Sequence, residues 1–317
     1  MNILSLFDGI SCCRVALERA GIPVDKYYAS EIDKYAITVA QKNYPSTIQL
    51  GDVTKWQDWN IDFSSIDIVT AGFPCQAWSV AGKQLGDKDE RGALFWTTLD
   101  IISHIKKLNP KVIFLLENVK MKREFEEYIT YHTEQALGSV NKYLINSSLV
   151  SAQNRQRYYW TNITGVNQPE DKGVLLRDVL QSNISYGILN SEKSLFILNL
   201  ASVSNFDRKA FIKEGIKNFH EVEISVPIGS FIYTNHLGQN GKLYKEKAAT
   251  LVCSASAHCV TDDLQIRKLT PVECERLQTL PDNYTEGISN SQRYKCLGNG
   301  WTVDVIAHIF KHIDKPK

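Results

Sequence analysis

The chain has 317 residues, of which 43% are apolar and 22% charged, and its formal net charge is +1. This length allows one large domain or two smaller ones, with a core of normal size. A near-neutral total neither favours nor excludes a nucleic-acid partner, because a basic surface can be local. No stretch approaches the roughly 20 apolar residues that span a bilayer, and the first residues do not resemble a signal peptide. We therefore expect a cytoplasmic protein with no membrane association.

Cysteine usage gives no sign of disulfide bonds or of a metal site. The chain contains seven cysteines and no Cys-X-X-Cys pair. An odd number argues against a disulfide framework, and the lack of such pairs argues against zinc. We expect free thiols and no bound metal, so that each cysteine is either a small buried side chain or a nucleophile.

Short β-branched runs alternate with helical patterns in the first half of the chain. The predicted strands lie at residues 3–7, 26–30, 47–50, 66–71 and 112–116, with two more near 143–150 and 157–161. Helices are predicted at residues 11–20, from Asp33 to Asn43, and at 94–108. This alternation predicts a doubly wound α/β fold in which helices cover both faces of a mostly parallel sheet.

The regular pattern weakens after residue 164 and returns near residue 267. Residues 165–266 are rich in Asn, Ser, Gly and Lys and show only short alternating runs. We interpret this segment as a second, smaller and irregular domain, with residues 1–164 and 267–317 together forming the first. Within 267–317, Thr270-Pro271-Val-Glu273 predicts a helix start, and residues 302–312 form an apolar helical pattern.

Polar residues follow the predicted strands at the edge where ligands bind in doubly wound sheets. A carboxylate after the second strand suits a ribose diol, and one after the third suits an adenine amino group. The spacing therefore favours a nucleoside cofactor, although each carboxylate could instead be a loop residue or a helix cap. These positions, in strand order, are Phe7-Asp8-Gly9, Glu31, Asp52, Pro74-Cys75 and Glu117-Asn118.

Cys75 and Glu117 are the candidate reactive groups at this edge. Pro74 stiffens the turn before Cys75, and Gly72 allows the chain to approach a ligand. The alternative for any cysteine is a buried small side chain, but a loop at the ligand edge favours a nucleophile. Glu117 could protonate a heteroaromatic ring if it is shielded from water.

Four motifs occur in the order and spacing of the C5-cytosine-specific DNA methyltransferase family, which this chain resembles. They are Gly72-Phe-Pro-Cys-Gln-Ala-Trp-Ser79, Glu117-Asn-Val119, Gln153-Asn-Arg-Gln-Arg157 and Gly298-Asn-Gly-Trp-Thr-Val303. The opening Leu6-Phe-Asp-Gly-Ile10 is also similar to the vertebrate de novo branch. The resemblance covers nearly the whole chain except about residues 165–250. It implies a Rossmann-like, S-adenosylmethionine-dependent methyltransferase fold with a target-recognition domain at 165–266.

The resemblance also implies roles for individual residues. Cys75 would attack carbon 6 of a flipped-out cytosine, Glu117 would contact N3 and the exocyclic amine, and Arg157 would contact O2. Arg155 would steady Glu117. S-adenosylmethionine would be held by Phe7, Asp8, Gly9, Ile10, Glu31, Ile32, Asp52, Val53, Pro74, Leu94, Asn299 and Trp301. Ser11 and Cys12 depart from the family pattern, which commonly has glycines there.

The implied substrate is double-stranded DNA, and the implied setting is restriction–modification or solitary phage-type methylation. A cognate restriction endonuclease would act separately, and we expect a monomer. One alternative is a tRNA cytosine methyltransferase, which typically has Pro-Pro-Cys where this chain has Phe73-Pro74-Cys75. The other is a catalytically silent DNA-binding protein, which Cys75, Glu117, Arg155 and Arg157 together argue against.

Overall fold

The computed structural model describes residues 1–74, 92–181, 229–233, 244–248, 250–251, 257–262 and 265–313. For residues 229–233, 244–245, 257–262 and 265–267 it describes the backbone alone. The predicted nucleophile, Cys75, lies outside the described residues.

A seven-stranded sheet forms the centre of the first domain, in the order β3-β2-β1-β4-β5-β7-β6. The first five strands in this order are parallel, and β7 runs antiparallel to both β5 and β6. The sheet confirms the doubly wound, mostly parallel α/β fold. The strands are β1 (Asn2–Leu6), β2 (Lys26–Ser30), β3 (Ile48–Gln49), β4 (Ile68–Ala71), β5 (Ile113–Val119), β6 (Asn141–Asn146) and β7 (Gln156–Thr161).

Helices cover both faces of the sheet because its central strands are apolar on both sides. Ile3 packs into one buried cluster, whereas Leu4 and Leu6 pack into another. This alternation follows from the two-residue period of a strand. The helices are α1 (Cys12–Ala20), α2 (Lys34–Asn43), α3 (Ala93–Leu108), α4 (Arg123–Leu137), α5 (Leu176–Val179), α6 (Pro271–Leu277), α7 (Asn290–Asn299) and α8 (Val303–Phe310). Side chains of α1, α2 and α8 belong to the cluster of Ile3, and those of α3 and α4 to the cluster of Leu4.

Two predicted helix starts are formed by the side chains that the sequence indicates. The Asp33 carboxylate accepts a hydrogen bond from the Tyr35 amide at 2.9 Å and caps α2. At α6, Thr270 Oγ1 accepts from the Glu273 amide at 3.2 Å, and the Thr270 amide donates to Glu273 Oε2 at 2.8 Å. These reciprocal bonds satisfy amides that a helix start leaves unpaired.

Three features of the first domain differ from the sequence predictions. β5 continues through Glu117, Asn118 and Val119, so Glu117 lies within the strand and not after it. The strand near residue 143 ends at Asn146, where a short 3₁₀ turn follows. Helices α4 and α7 were not predicted at all.

A four-stranded antiparallel sheet lies within the segment that we predicted to be irregular. Its strands are β8 (Gly229–Tyr233), β9 (Tyr244–Lys245), β10 (Ala257–Asp262) and β11 (Gln265–Lys268), in the order β11-β10-β8-β9. The beginning of the segment contributes Val166, Leu176 and Val179 to the buried cluster of Ile3. Among the described residues, no helix is long and apolar enough to cross a membrane.

Candidate active site

The turn between β1 and α1 holds three residues in the left-handed region of backbone conformation. Phe7, Gly9 and Ser11 have φ angles of 56°, 60° and 58°. Glycine adopts such angles freely, whereas a residue with a side chain is strained by roughly 1–3 kcal/mol. Ser11 offsets part of this strain because its Oγ donates to Asp8 Oδ2 at 2.6 Å. The left-handed angle gives a physical reason for glycine at position 11, and the hydrogen bond shows how serine replaces it.

Asp8 is buried beneath this turn, where hydroxyl groups surround its carboxylate. Its Oδ1 accepts from the Tyr27 hydroxyl at 2.6 Å, opposite the bond from Ser11. Burial raises the pKa of Asp8 to about 6, while the hydrogen bonds from Ser11 and Tyr27 act to lower it. The Asp8 carboxylate therefore stabilises the turn by connecting Ser11 to Tyr27 on β2.

Glu31 connects the turns that follow β1 and β2. Its Oε2 accepts from the Gly9 amide at 2.9 Å, and its Oε1 accepts from the amides of Ile32 and Asp33, each at 2.8 Å. The neighbouring Ile32 side chain is 77% exposed. The first two turns of the ligand edge are thus fixed relative to each other, and an apolar side chain projects beside them.

Asp52 follows β3 and caps the next 3₁₀ turn. Its Oδ1 accepts from the Thr54 amide at 2.9 Å and from the Thr54 hydroxyl at 2.8 Å, which lowers the pKa of Asp52. The sequence left two roles open for these carboxylates, contact with a cofactor or capping of a local turn. Asp52 caps a turn. It also lines the cavity described next, so the two roles are compatible.

One cavity of about 330 Å³ opens at the carboxyl ends of the strands. The predicted site residues that line it are Phe7, Asp8, Gly9, Glu31, Ile32, Asp52, Val53, Pro74, Leu94, Glu117, Arg155, Arg157, Asn299 and Trp301. Ile10 is buried in the core instead, and its carbonyl accepts from the Tyr284 hydroxyl at 2.8 Å. Cys12 and Cys296 also line the cavity, and the sequence did not indicate either as a cavity residue.

Glu117 and Arg157 form an ion pair inside this cavity. Arg157 Nε lies 3.0 Å from Glu117 Oε1, and the two side chains are 11% and 10% exposed. The register of β5 and β7 places Val119 opposite Arg157 and Glu117 opposite Tyr159, so the pair is diagonal across neighbouring strands. The indole N–H of Trp301 donates to the other oxygen, Glu117 Oε2, at 3.1 Å.

Arg155 is buried and donates to backbone carbonyls that converge from distant parts of the chain. Its guanidinium binds Leu251 O at 3.0 Å, Gly298 O at 3.2 Å and Gly300 O at 3.0 Å. We expected Arg155 to steady Glu117. It fixes the backbone next to Trp301, while the ion pair with Glu117 is made by Arg157.

The segment that leads to Cys75 is held against the end of β5. The Asn118 side-chain amide donates to Phe73 O at 3.1 Å, and both residues are buried. Pro74, the last described residue before Cys75, lines the cavity. Position 75 therefore directly follows a residue of the cavity wall.

The cavity has the chemical groups that a nucleoside-containing methyl donor requires. Carboxylates of Glu31 and Asp52 can accept hydrogen bonds from hydroxyl and amino groups, and Phe7, Ile32 and Leu94 supply apolar contacts. Within the described ranges, no three His, Cys, Asp or Glu side chains come together as metal ligands. The carboxylates and apolar side chains of this lining fit S-adenosylmethionine.

The fold matches that of solved methyltransferases. The DNMT2 of Spodoptera frugiperda superposes with a TM-score of 0.64 at 19% sequence identity, covering 99% of each chain. This likeness shows that the chain and the DNMT2 structure share one fold.

The sequence defines the family. The chain belongs to the C-5 cytosine-specific DNA methylase family, whose model matches residues 1–315. It is 28% identical over 334 residues to the Type II methyltransferase M.HhaI of Haemophilus parahaemolyticus, which covers 99% of this chain and 94% of that protein. It is 31% identical over 314 residues to the Type II methyltransferase M1.ScrFI of Lactococcus lactis subsp. cremoris, which covers 96% of this chain and 76% of that one. The protein is accordingly a DNA cytosine-5 methyltransferase, with S-adenosylmethionine as the methyl donor.

Proposed function

We propose that this enzyme methylates a cytosine within a specific duplex sequence through a covalent bond between Cys75 Sγ and cytosine C6. The observation that carries the proposal is the buried Glu117–Arg157 pair, which lies in the same cavity as Pro74, the residue before Cys75. A nucleophile, a carboxyl group and a cation would then surround one cytosine ring.

The chemistry follows from the weak nucleophilicity of cytosine C5. Addition of the Cys75 thiolate to C6 moves an electron pair toward N3, where Glu117 donates a proton. Carbon 5, now part of an enamine, can accept the methyl group that S-adenosylmethionine supplies when bound. A base such as water then removes the C5 proton, and that electron pair forms the C5–C6 double bond as the C6–S bond breaks to release the thiolate. The N3 proton returns to Glu117, which restores the enzyme.

Arg157 has two roles in this proposal. Its guanidinium already contacts Glu117, and we assign it a hydrogen bond to cytosine O2. Charge develops on O2 and N3 during thiolate addition, and fixed donors in a site shielded from water stabilise such charge strongly. Arg155 acts indirectly, because it fixes the backbone that carries Asn299 and Trp301.

The methyl donor would be held by the turns that follow β1, β2 and β3. We assign Phe7, Gly9, Glu31, Asp52 and Leu94 to direct contact. The Asp8 side chain would act by supporting the first turn, since its two oxygens accept from Ser11 and Tyr27. The remaining proposed contacts are Ile32, Val53, Pro74, Asn299 and Trp301.

DNA recognition is assigned to residues 165–266. The target cytosine must leave the stacked duplex to reach a cavity of this kind, at a cost of a few kcal/mol. Sequence choice would come from the segment between the two parts of the catalytic domain, by contacts in the major groove. The Type II names of the relatives support a role in restriction–modification, with the endonuclease acting separately on the same sequence.

Transfer of labelled methyl from S-adenosylmethionine to duplex DNA and to tRNA tests this function. We expect label in DNA and none in tRNA, with Cys75→Ala below about 3% of wild-type turnover, a loss of roughly 2 kcal/mol or more in barrier. Normal DNA and cofactor binding by Cys75→Ala would show that the variant is folded. Substantial turnover without Cys75, or label in tRNA alone, would contradict the proposal.

A further inference from the structure

Both carboxylate oxygens of Glu117 receive a fixed donor. Oε1 lies 3.0 Å from Arg157 Nε, and Oε2 accepts from Trp301 Nε1 at 3.1 Å. Trp301 is 9% exposed and Glu117 8%, so solvent competes weakly for these bonds. One donor on each oxygen fixes both the position and the rotation of the carboxyl group.

The indole of Trp301 is wedged between Glu117 and the end of β4. A Cβ atom placed on Gly72 would lie 2.9 Å from Trp301 Nε1 and 3.2 Å from Trp301 Cζ2. Real Cβ atoms essentially never approach another atom to 2.9 Å, and a contact of 3.2 Å is tighter than most, so a side chain at position 72 would force the indole to shift. Glycine at this position leaves the space that the ring occupies.

The residues on both sides of Trp301 are also held by buried hydrogen bonds, through the Gly300 carbonyl and the Thr302 hydroxyl. Gly300 O accepts from Arg155 at 3.0 Å and from Gln278 Nε2 at 3.1 Å. On the other side, Thr302 Oγ1 donates to Gln278 Oε1 at 2.9 Å. These contacts fix the position of the indole without a bound ligand. A side chain that orients another group must itself be held in this way.

We propose that Trp301 is a positioning residue for Glu117 and links the methyl-donor pocket to the carboxyl group that activates cytosine. Its ring lines the donor cavity together with Leu94 and Asn299, while its N–H binds Glu117. A shift of the indole within the donor pocket would therefore move a hydrogen-bond donor of Glu117. The inference rests on the role proposed above for Glu117 in catalysis.

Trp301→Phe separates the two properties of the side chain, because it keeps an apolar ring and removes the N–H. We expect turnover at saturating S-adenosylmethionine to fall about tenfold, as for loss of one hydrogen bond to a charged group. The dissociation constant for S-adenosylmethionine, from calorimetry, should change less than about threefold. Trp160→Phe is the matched control, because the Trp160 indole donates to Thr130 Oγ1 at 2.8 Å outside the cavity. Its turnover should stay near wild type.

A double-mutant cycle with Glu117→Gln tests whether Trp301 acts through Glu117. On the Glu117→Gln background, Trp301→Phe should cost less than about twofold, since interacting groups are not additive. An equal loss in both backgrounds, or a Trp301→Phe enzyme whose only defect is weaker donor binding, would overturn the inference. Full activity of Glu117→Gln alone would instead refute the catalytic role of Glu117. That single variant therefore distinguishes failure of the proposed function from failure of the inference about Trp301.

Gly72→Ala provides a second perturbation if Trp301→Phe does not fold. It displaces the indole without removing the N–H, so turnover should again fall. A folded Gly72→Ala enzyme with full turnover would overturn the inference as well.

Discussion

Glu117 contacts a guanidinium and an indole at once, and this arrangement determines how its substitution should behave. The carboxylate is fixed by Arg157 and Trp301 within a cavity that also holds the proposed donor contacts. A replacement that keeps the shape of the side chain but cannot deliver a proton should damage chemistry more than binding.

Glu117→Gln is therefore expected to lower turnover by roughly tenfold to a thousandfold, near the usual range for a general acid. Affinity for S-adenosylmethionine should barely change, because the amide still fills the same space. Single-turnover rates and calorimetry measure the two quantities separately. The same substitution at the exposed Glu127, which pairs with Arg123 on α4, serves as the control. Collapse of donor binding would place Glu117 in the cofactor site instead.

At the residue scale, the sequence indicated which side chains lie at the cavity but not which of them form ion pairs with each other. Glu31, Asp52 and Glu117 were found because each lies at or near the carboxyl end of a strand. The Glu117–Arg157 pair depends on the register between β5 and β7, which no local pattern specifies. Cys296 was missed because it lies on α7, whose polar sequence shows no clear apolar stripe.

The turn between β1 and α1 is the element whose sequence departs most clearly from the family pattern. Ser11 adopts a left-handed conformation and donates to Asp8, whose pKa burial raises to about 6. Between about pH 4 and 6, Asp8 is therefore protonated in the folded protein and ionised in the unfolded chain. Stability falls as pH rises through this window, and the Ser11 hydroxyl limits the fall by stabilising the ionised form.

Ser11→Ala removes that hydroxyl and should raise the pKa of Asp8 further. At about pH 7.5 we expect a loss of roughly 1–2 kcal/mol in unfolding free energy, and a smaller loss at about pH 5, where folded Asp8 is protonated. Urea unfolding at both pH values measures the difference. Ser11→Gly is the control, because it also lacks the hydroxyl but should regain about 1 kcal/mol from the relaxed backbone. An equal or larger loss at the lower pH would contradict this explanation.

Elements with strong local signals were predicted, and those that depend on tertiary contacts were not. The α2 and α6 starts were recognised from Asp33 and Thr270, whose side chains cap helices. α4 begins at Arg123, its N-cap residue Lys122 makes no side-chain cap, and the helix contains β-branched and aromatic residues that favour helices weakly. β5 extends through Glu117 because Tyr159 pairs with it across the sheet, and a local pattern cannot include that partner.

In the chain as a whole, the motifs that indicate the chemistry lie apart from a long segment that lacks them. The motifs of the family lie in residues 1–164 and 267–317, whereas residues 165–266 carry none of them. The parts of this segment near residues 176 and 250 pack into the core, and β8 to β11 form a separate antiparallel sheet. We therefore propose that residues 165–266 select the DNA sequence and that residues 165–181 and 246–251 anchor this segment to the catalytic domain.

A chimera tests this division of roles. Residues 165–266 grafted into a related enzyme of known specificity should transfer the recognition sequence of this protein, because we assign the base contacts to this segment and the catalytic groups to the rest of the chain. Sequencing of methylated positions in DNA from expressing cells reports the outcome. The reciprocal graft controls for simple loss of folding. An active chimera that still methylates the sequence of its host would disprove the assignment.

The thiols that the structure describes are poor candidates for the nucleophile, which leaves Cys75, Cys253 and Cys259. Of these three, Cys75 is the one that directly follows a residue of the cavity wall, Pro74. Burial raises the pKa of Cys12, Cys13 and Cys296 to about 12 and also raises that of Cys274. Such groups remain protonated at neutral pH, and the thiolate is the reactive form. Covalent catalysis by this enzyme should therefore depend on a single cysteine.

Duplex DNA with 5-fluorocytosine at the target position tests this claim most directly. Fluorine cannot leave C5 as a cation, so after methylation the C6–S bond should persist and the complex should survive boiling in detergent. Formation of the complex should require S-adenosylmethionine, be slowed in Arg157→Ala and be absent in Cys75→Ala. Peptide mapping should locate the crosslink at Cys75, within Phe73-Pro-Cys-Gln-Ala-Trp-Ser79. A crosslink at another cysteine, or an active enzyme that forms no adduct, would contradict the mechanism.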